Sequence, residues 1–326
     1  MSDSIESPSS WVRFRQWFGG AAIKSVLTGL AYCARVSPHY WKNRNFSLEK
    51  GLFYTSDGDP QRSLDIYTPE GEGPFPTVFF VHGGGFRICS KDTHWMMAHT
   101  LVRRGYAVVS INYRLVPHVR FPVPPMDVCD AFMWTVEQAE ARRFDMSRVF
   151  LMGESAGANL VTMLALCLFS DRSEPWTQKV RETGVRPIGL IPQCGMLEVS
   201  NVERYKDLNI PTWMADRIVR VASDYLGNAH GEEGALASPL CVIENGHFSP
   251  DDFPPVFAPV GGTDPILEDT IRLGEALKRH GVDSQAPVYE GAGHAFHAMG
   301  TSAAIQCWRD TLTFMNRVLE EAKPLP

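Results

Sequence analysis

Three short stretches of this 326-residue chain carry residue types able to act together: Ser155 in Gly153-Glu154-Ser155-Ala156-Gly157, Asp264 in Gly262-Thr263-Asp264-Pro265, and His294 in Gly293-His294-Ala295-Phe296. A serine hydroxyl is a weak nucleophile until a base takes its proton, and an imidazole serves as that base when a carboxylate holds its tautomer and orientation. The oxygen that becomes negative during attack on a carbonyl also needs donors already aimed at it. His82-Gly83-Gly84-Gly85-Phe86 offers them, since a folded domain keeps three consecutive glycines where the main chain must approach something closely. The amides of Gly83, Gly84 and Ala156 are the expected oxyanion donors.

Each stretch also has a plainer reading. Asp264 before Pro265 suits a helix cap, and the glycine run suits a hairpin loop. His297 competes with His294 for the role of base, whereas His82 is expected to fix its own loop by side-chain hydrogen bonds. Ser155 discriminates between the two sets of readings. G-x-S-x-G alone is weak in a chain with 27 glycines, but residues 148–152 read as a buried strand and the run from Ala156 as a buried helix. The serine then stands at a strand-to-helix corner, where side chains at 153 and 157 would collide, and its own backbone is expected to be strained. H-x-x-H without an acidic or cysteine ligand set is a poor metal site. No metal and no cofactor is expected.

The elements that must position these residues follow from hydrophobic period. Strands are expected over 62–67, 77–81, 107–112, 148–152, 188–194, 255–260 and 285–289. Helices are expected over 93–104, 126–139, from 156, over 266–280 and at the C-terminus. Such alternation predicts an α/β fold with a mostly parallel central sheet and helices on both faces, the chemistry collecting at one edge of the sheet. Prolines within 117–125 are expected to delay the next helix to Met126, with Arg114 anchoring that loop, and 170–184 reads as a polar excursion. Residues 11–40 have helical spacing. The stretch 195–235 interrupts the alternation with Trp213 and an amphipathic run over 214–226, expected to lie over the sheet.

With 31 basic and 37 acidic residues the net charge is −6, and no basic run is present, which argues against nucleic acid. Seven cysteines are scattered with an odd total, as expected of buried thiols in a reducing, cytoplasmic compartment. The apolar run over 18–34 is too short and polar for stable membrane insertion; a secretory leader is the alternative to a helix covering the domain.

HGGGF at 82–86, YRL at 113–115, GESAG at 153–157, TDP at 263–265 and GHAF at 293–296 resemble the hormone-sensitive-lipase-like carboxylesterases, over roughly residues 60–326. The resemblance implies an α/β-hydrolase fold: a core over 46–194 and 236–326, under a helical cap made of residues 1–45 and 195–235. It implies short- to medium-chain carboxylic esters as small-molecule substrates, hydrolysed through an acyl-enzyme by Ser155, Asp264 and His294. Phe86 and Trp213 are candidate substrate contacts. Lipase, amidase or peptidase activity on the same triad, a binding protein of the same fold, and a homodimer through an edge strand or the last helix stay open. Members more often carry aspartate where this chain has Glu154, and the wording after Ile191 is not the family's.

Overall fold

The computed structural model describes residue 29 and residues 45–206, 210–229, 231 and 234–322. The helices expected over 11–40 therefore fall outside the described residues, residue 29 excepted. The strands are β1 Phe46–Phe53, β2 Ser63–Pro69, β3 Phe75–Val81, β4 Ala107–Ile111, β5 Phe144–Glu154, β6 Gly189–Gln193, β7 Val256–Phe257, β8 Val260–Gly261, β9 Ser284–Gln285 and β10 Val288–Tyr289. Eight of them form one sheet in the order β1-β2-β4-β3-β5-β6-β7-β9, and β8 pairs with β10. β2 runs antiparallel to β1 and β4, and the remaining pairings are parallel.

The strand expected over 255–260 and the one over 285–289 are each split by a proline, Pro259 and Pro287, which lack the N–H a continuous ladder needs. Hydrogen bonds Ala258 N to Gln285 O (2.8 Å) and Val260 N to Pro287 O (3.0 Å) bridge the two breaks. β1 was not anticipated from the sequence. It is an edge strand with most side chains in solvent, so little of its sequence carries a burial period, and charge at an edge discourages pairing with other chains. Asp65 Oδ1 accepts from the Gly51 amide at 2.9 Å where the β1–β2 register slips.

Alternation along the central strands divides the core in two. Phe79, Val81, Val109, Ile111, Val149 and Leu151 face one side, and Val78, Phe80, Val108, Phe150 and Met152 the other. The principal helices are α1 Trp95–Val102, α2 Val123–Glu137, α3 Ala156–Phe169, α4 Thr212–Leu226, α5 Leu267–Arg279 and α6 Ser302–Glu321. α2, α3 and α5 pack on the first face, α1 and α6 on the second. All 14 residues of α3 are buried, which is why its sequence is apolar all round.

Two helix expectations are corrected. α2 starts at Val123 rather than Met126, with Pro124 and Pro125 inside its first turn, where amides have no partner within the helix and a missing N–H costs little. The excursion over 170–184 holds a short helix, Pro175–Arg181. Arg114 does anchor its loop: its guanidinium donates to Asp127 on α2 at 2.6 to 3.2 Å.

Candidate active site

β5 and α3 meet at Ser155, whose backbone lies at φ 54°, ψ −112°. That region costs a non-glycine residue about 1–3 kcal/mol, and two neighbours hold it there: the Ser155 amide donates to Gln193 O at 2.9 Å and Ser155 O accepts from Met196 N at 3.2 Å. The flanking glycines are steric requirements. A Cβ on Gly153 would stand 2.4 Å from Gly157 O, and one on Gly157 would stand 2.1 Å from Val81 O.

His294, in the loop after β10, places Nε2 3.0 Å from Ser155 Oγ and Nδ1 2.8 Å from Asp264 Oδ2. With Nδ1–H donated to the carboxylate, Nε2 is free to take the serine proton. Burial alone would lower the His294 pKa, but Asp264, by charge and by hydrogen bond, and then Glu154 carry it above the usual imidazole value. Asp264 is not the cap of α5, where Ile266 holds the cap position with no side-chain cap hydrogen bond, but it does shape the turn that leads into the helix. Its Oδ1 accepts from the Ile266 amide at 2.9 Å, turning the chain into α5, while Oδ2 holds the histidine.

The glycine loop lies beside the serine. A Cβ on Gly83 would meet Ser155 Cβ at 3.3 Å and Glu154 O at 2.8 Å, and one on Gly84 would meet Ile88 O at 2.2 Å. Among the described residues no protein acceptor takes the amides of Gly83 and Gly84, and Ala156, first residue of α3, has no helical acceptor either. These three donors border the position of a tetrahedral oxygen. His82 stands behind the loop. Its Nδ1 donates to Gly83 O at 2.7 Å, its ring stacks on Tyr113 at 4.5 Å, and Tyr113 Oη donates to His82 O at 3.2 Å. Burial, followed by the neighbouring His94, pushes the His82 pKa down to about 3, so the ring stays neutral.

His297 is turned away from the serine and gives its Nε2 to Glu154 Oε2 at 3.0 Å; His94 Nε2 lies 3.4 Å from Glu154 Oε1. Burial would raise the Glu154 carboxyl, yet the charge of His94 and hydrogen bonds from His297 and His94 bring it well below the ordinary carboxylate value. Sequence reasoning missed this second acid–histidine cluster. The only signal was His297 itself, three residues past His294.

The triad opens into a cavity of about 610 Å³ lined by Ser155, His294, Gly84, Gly85 and side chains of α4. Five methionines, 96, 97, 196, 214 and 299, contribute to its wall, as does Trp213. Phe86 does not. It is fully buried and stacked on Tyr225 of α4 at 3.8 Å, since the loop turns at positive φ and sends its ring inward; its expected contact with substrate is withdrawn. The Cys194 Sγ, Asp264 and His294 ligand atoms fall within 4.8 Å of one another. Burial pushes the Cys194 thiol well up, and the other two groups are already bonded to each other and to Ser155, so the donor set suits a proton relay better than a cation.

A family model described as the alpha/beta hydrolase fold matches residues 78–298. The chain belongs to this family, the hormone-sensitive-lipase-like esterases. The hydrolase is 28% identical over 251 residues to an ethyl acetate hydrolase of Pseudomonas putida, covering 72% of this chain and 71% of the relative. It is 26% identical over 234 residues to Lipase 2 of Moraxella sp. (strain TA144), 67% of this chain and 54% of that one. In fold it is similar to an esterase from Mycobacterium marinum, with TM-score 0.74, 18% identity, and 97% and 98% of the two chains covered. Among the described residues of the hydrolase no helix is long and apolar enough to cross a membrane.

Proposed function

We propose that this carboxylic ester hydrolase acts through Ser155 as nucleophile, His294 as base and then acid, and Asp264 as the group that orients His294. The observation that carries the reading is the continuous chain Ser155 Oγ, His294 Nε2, His294 Nδ1, Asp264 Oδ2 at 3.0 and 2.8 Å. As Ser155 Oγ bonds to the ester carbonyl carbon, its proton passes to His294 Nε2, and the new oxyanion is received by the amides of Gly83, Gly84 and Ala156. The imidazolium, held against Asp264, then protonates the leaving alcohol. Water attacks the acyl-enzyme by the same route in reverse and frees the acid. Each oxyanion donor is worth about 3 kcal/mol in the barrier.

The wall argues for short- to medium-chain acyl groups. A cavity of about 610 Å³ admits a modest ester, and thioether side chains adapt to several shapes. Residues 195–235 serve as part of a cap, since α4 lies within them and furnishes one side of the cavity. The test is a panel of esters from acetate to palmitate on the purified protein and on Ser155→Ala. The expected result is a maximum at short to medium chains and loss of turnover by about six orders of magnitude in the variant. Undiminished hydrolysis by Ser155→Ala overturns the mechanism.

A further inference from the structure

The wall of the catalytic cavity is apolar except for Ser155 and His294, Glu154 with His94, a few small polar groups and a single guanidinium, that of Arg217 on α4. Arg217 is half-buried, and among the described residues no carboxylate or carbonyl accepts from it. This sets it apart. Every other half-buried arginine among the described residues pairs with a carboxylate, from Arg62 with Asp57 and Asp130 to Arg272 with Glu244 and Arg317 with Asp283. Of the acids on α4, Asp224 is already taken: its Oδ2 accepts from Arg220 Nε at 2.9 Å and also from Arg87 Nη1. Burial first, and then the charge of Arg87, press the Arg217 pKa downward. A guanidinium partly removed from water without an acceptor is costly, and a matching anion removes that cost.

We propose that Arg217 receives a carboxylate carried by the substrate, so that the preferred ester is an anionic one whose free carboxylate lies on Arg217 while its ester carbonyl faces Ser155. This rests on the esterase reading above and narrows it. Two sources supply the chemistry: the monoester of a dicarboxylic acid, with the charge on the acyl side, and the ester of a hydroxy acid, with the charge on the alcohol side.

Two arms of one experiment separate them. Monoethyl succinate, glutarate and adipate are compared with neutral ethyl esters of matched length, and 4-acetoxybutyrate with butyl acetate, by titrating the acid released. In one arm kcat/KM for the anionic ester should exceed that of its neutral match by roughly tenfold, the worth of one charge-assisted hydrogen bond. Arg217→Met, which adds one more thioether to the wall, should abolish that ratio through KM. Arg217→Lys should keep most of it, and added salt should diminish it. Thermal unfolding of both variants checks that the fold is retained. A ratio unchanged in Arg217→Met, or a preference for the neutral ester in both arms, overturns the inference while leaving the esterase reading in place. Turnover of neither ester overturns both.

Discussion

His297 Nε2 donates to Glu154 Oε2 at 3.0 Å, so the second histidine of the GHAFH stretch is bound to the residue immediately before the nucleophile. His294 and His297 therefore divide the work, one on the serine and the other behind it. His294→Ala should lower kcat for p-nitrophenyl butyrate by about six orders of magnitude with an unchanged far-ultraviolet spectrum. His297→Ala should lower the unfolding temperature and leave turnover far above the His294 variant. The opposite ranking would move the base to His297.

The raised pKa of His294 sets the acid side of the pH profile. The reaction needs the neutral imidazole, so kcat/KM should rise with pH through a midpoint above the ordinary value of 6.5. Asp264→Asn removes the charge that raises it, and the midpoint should move down while the rate falls by about 10⁴. A profile whose midpoint is the same in wild type and variant would show that Asp264 does not act on His294.

Glu154 links activity to stability. Its folded pKa is depressed below 4.5, so its contribution is present above that value and lost as pH falls through the folded one. His94 is raised, so its contribution is complete below 6.5 and lost as pH rises through its own folded value. The pair should stabilise most between these limits. Glu154→Gln should cost about 3 kcal/mol there, as expected for breaking a buried ion pair, and the difference from wild type in urea unfolding should narrow at pH 3. A constant difference from pH 3 to pH 6 would contradict this.

Gly157 stands against the end of β3. With Val81 O only 2.1 Å from the position of its absent Cβ, Gly157→Ala must push α3 away from the sheet. The expected cost is about 3 kcal/mol, the upper part of the range for overpacking, together with a loss of kcat larger than any change in KM, because Ser155 moves relative to His294. An unaltered melting temperature would mean that the corner has slack.

The chain's local order was written in its sequence. Strand, glycine, serine, glycine and helix are neighbours along the polymer, and steric exclusion at Gly153 and Gly157 acts over a few bonds, so the shape of the corner and the fold class could be read without coordinates. The alternation of buried strands and helices was legible for the same reason. Strand β1 was not, because an edge strand buries little, and neither was the start of α2, because proline breaks helices in general but is harmless in a first turn.

Tertiary structure decided everything that depends on convergence. Ser155 and His294 are 139 positions apart, and Glu154 and His297 are 143 apart, so which histidine meets which acid is settled by how the loop after β10 lies across the end of β5. The same applies to Phe86, whose direction follows from a positive φ, and to Arg217. Residue type says that a guanidinium carries charge; only the packing around α4 shows that Asp224 is engaged by Arg220 and Arg87 while Arg217 faces the cavity.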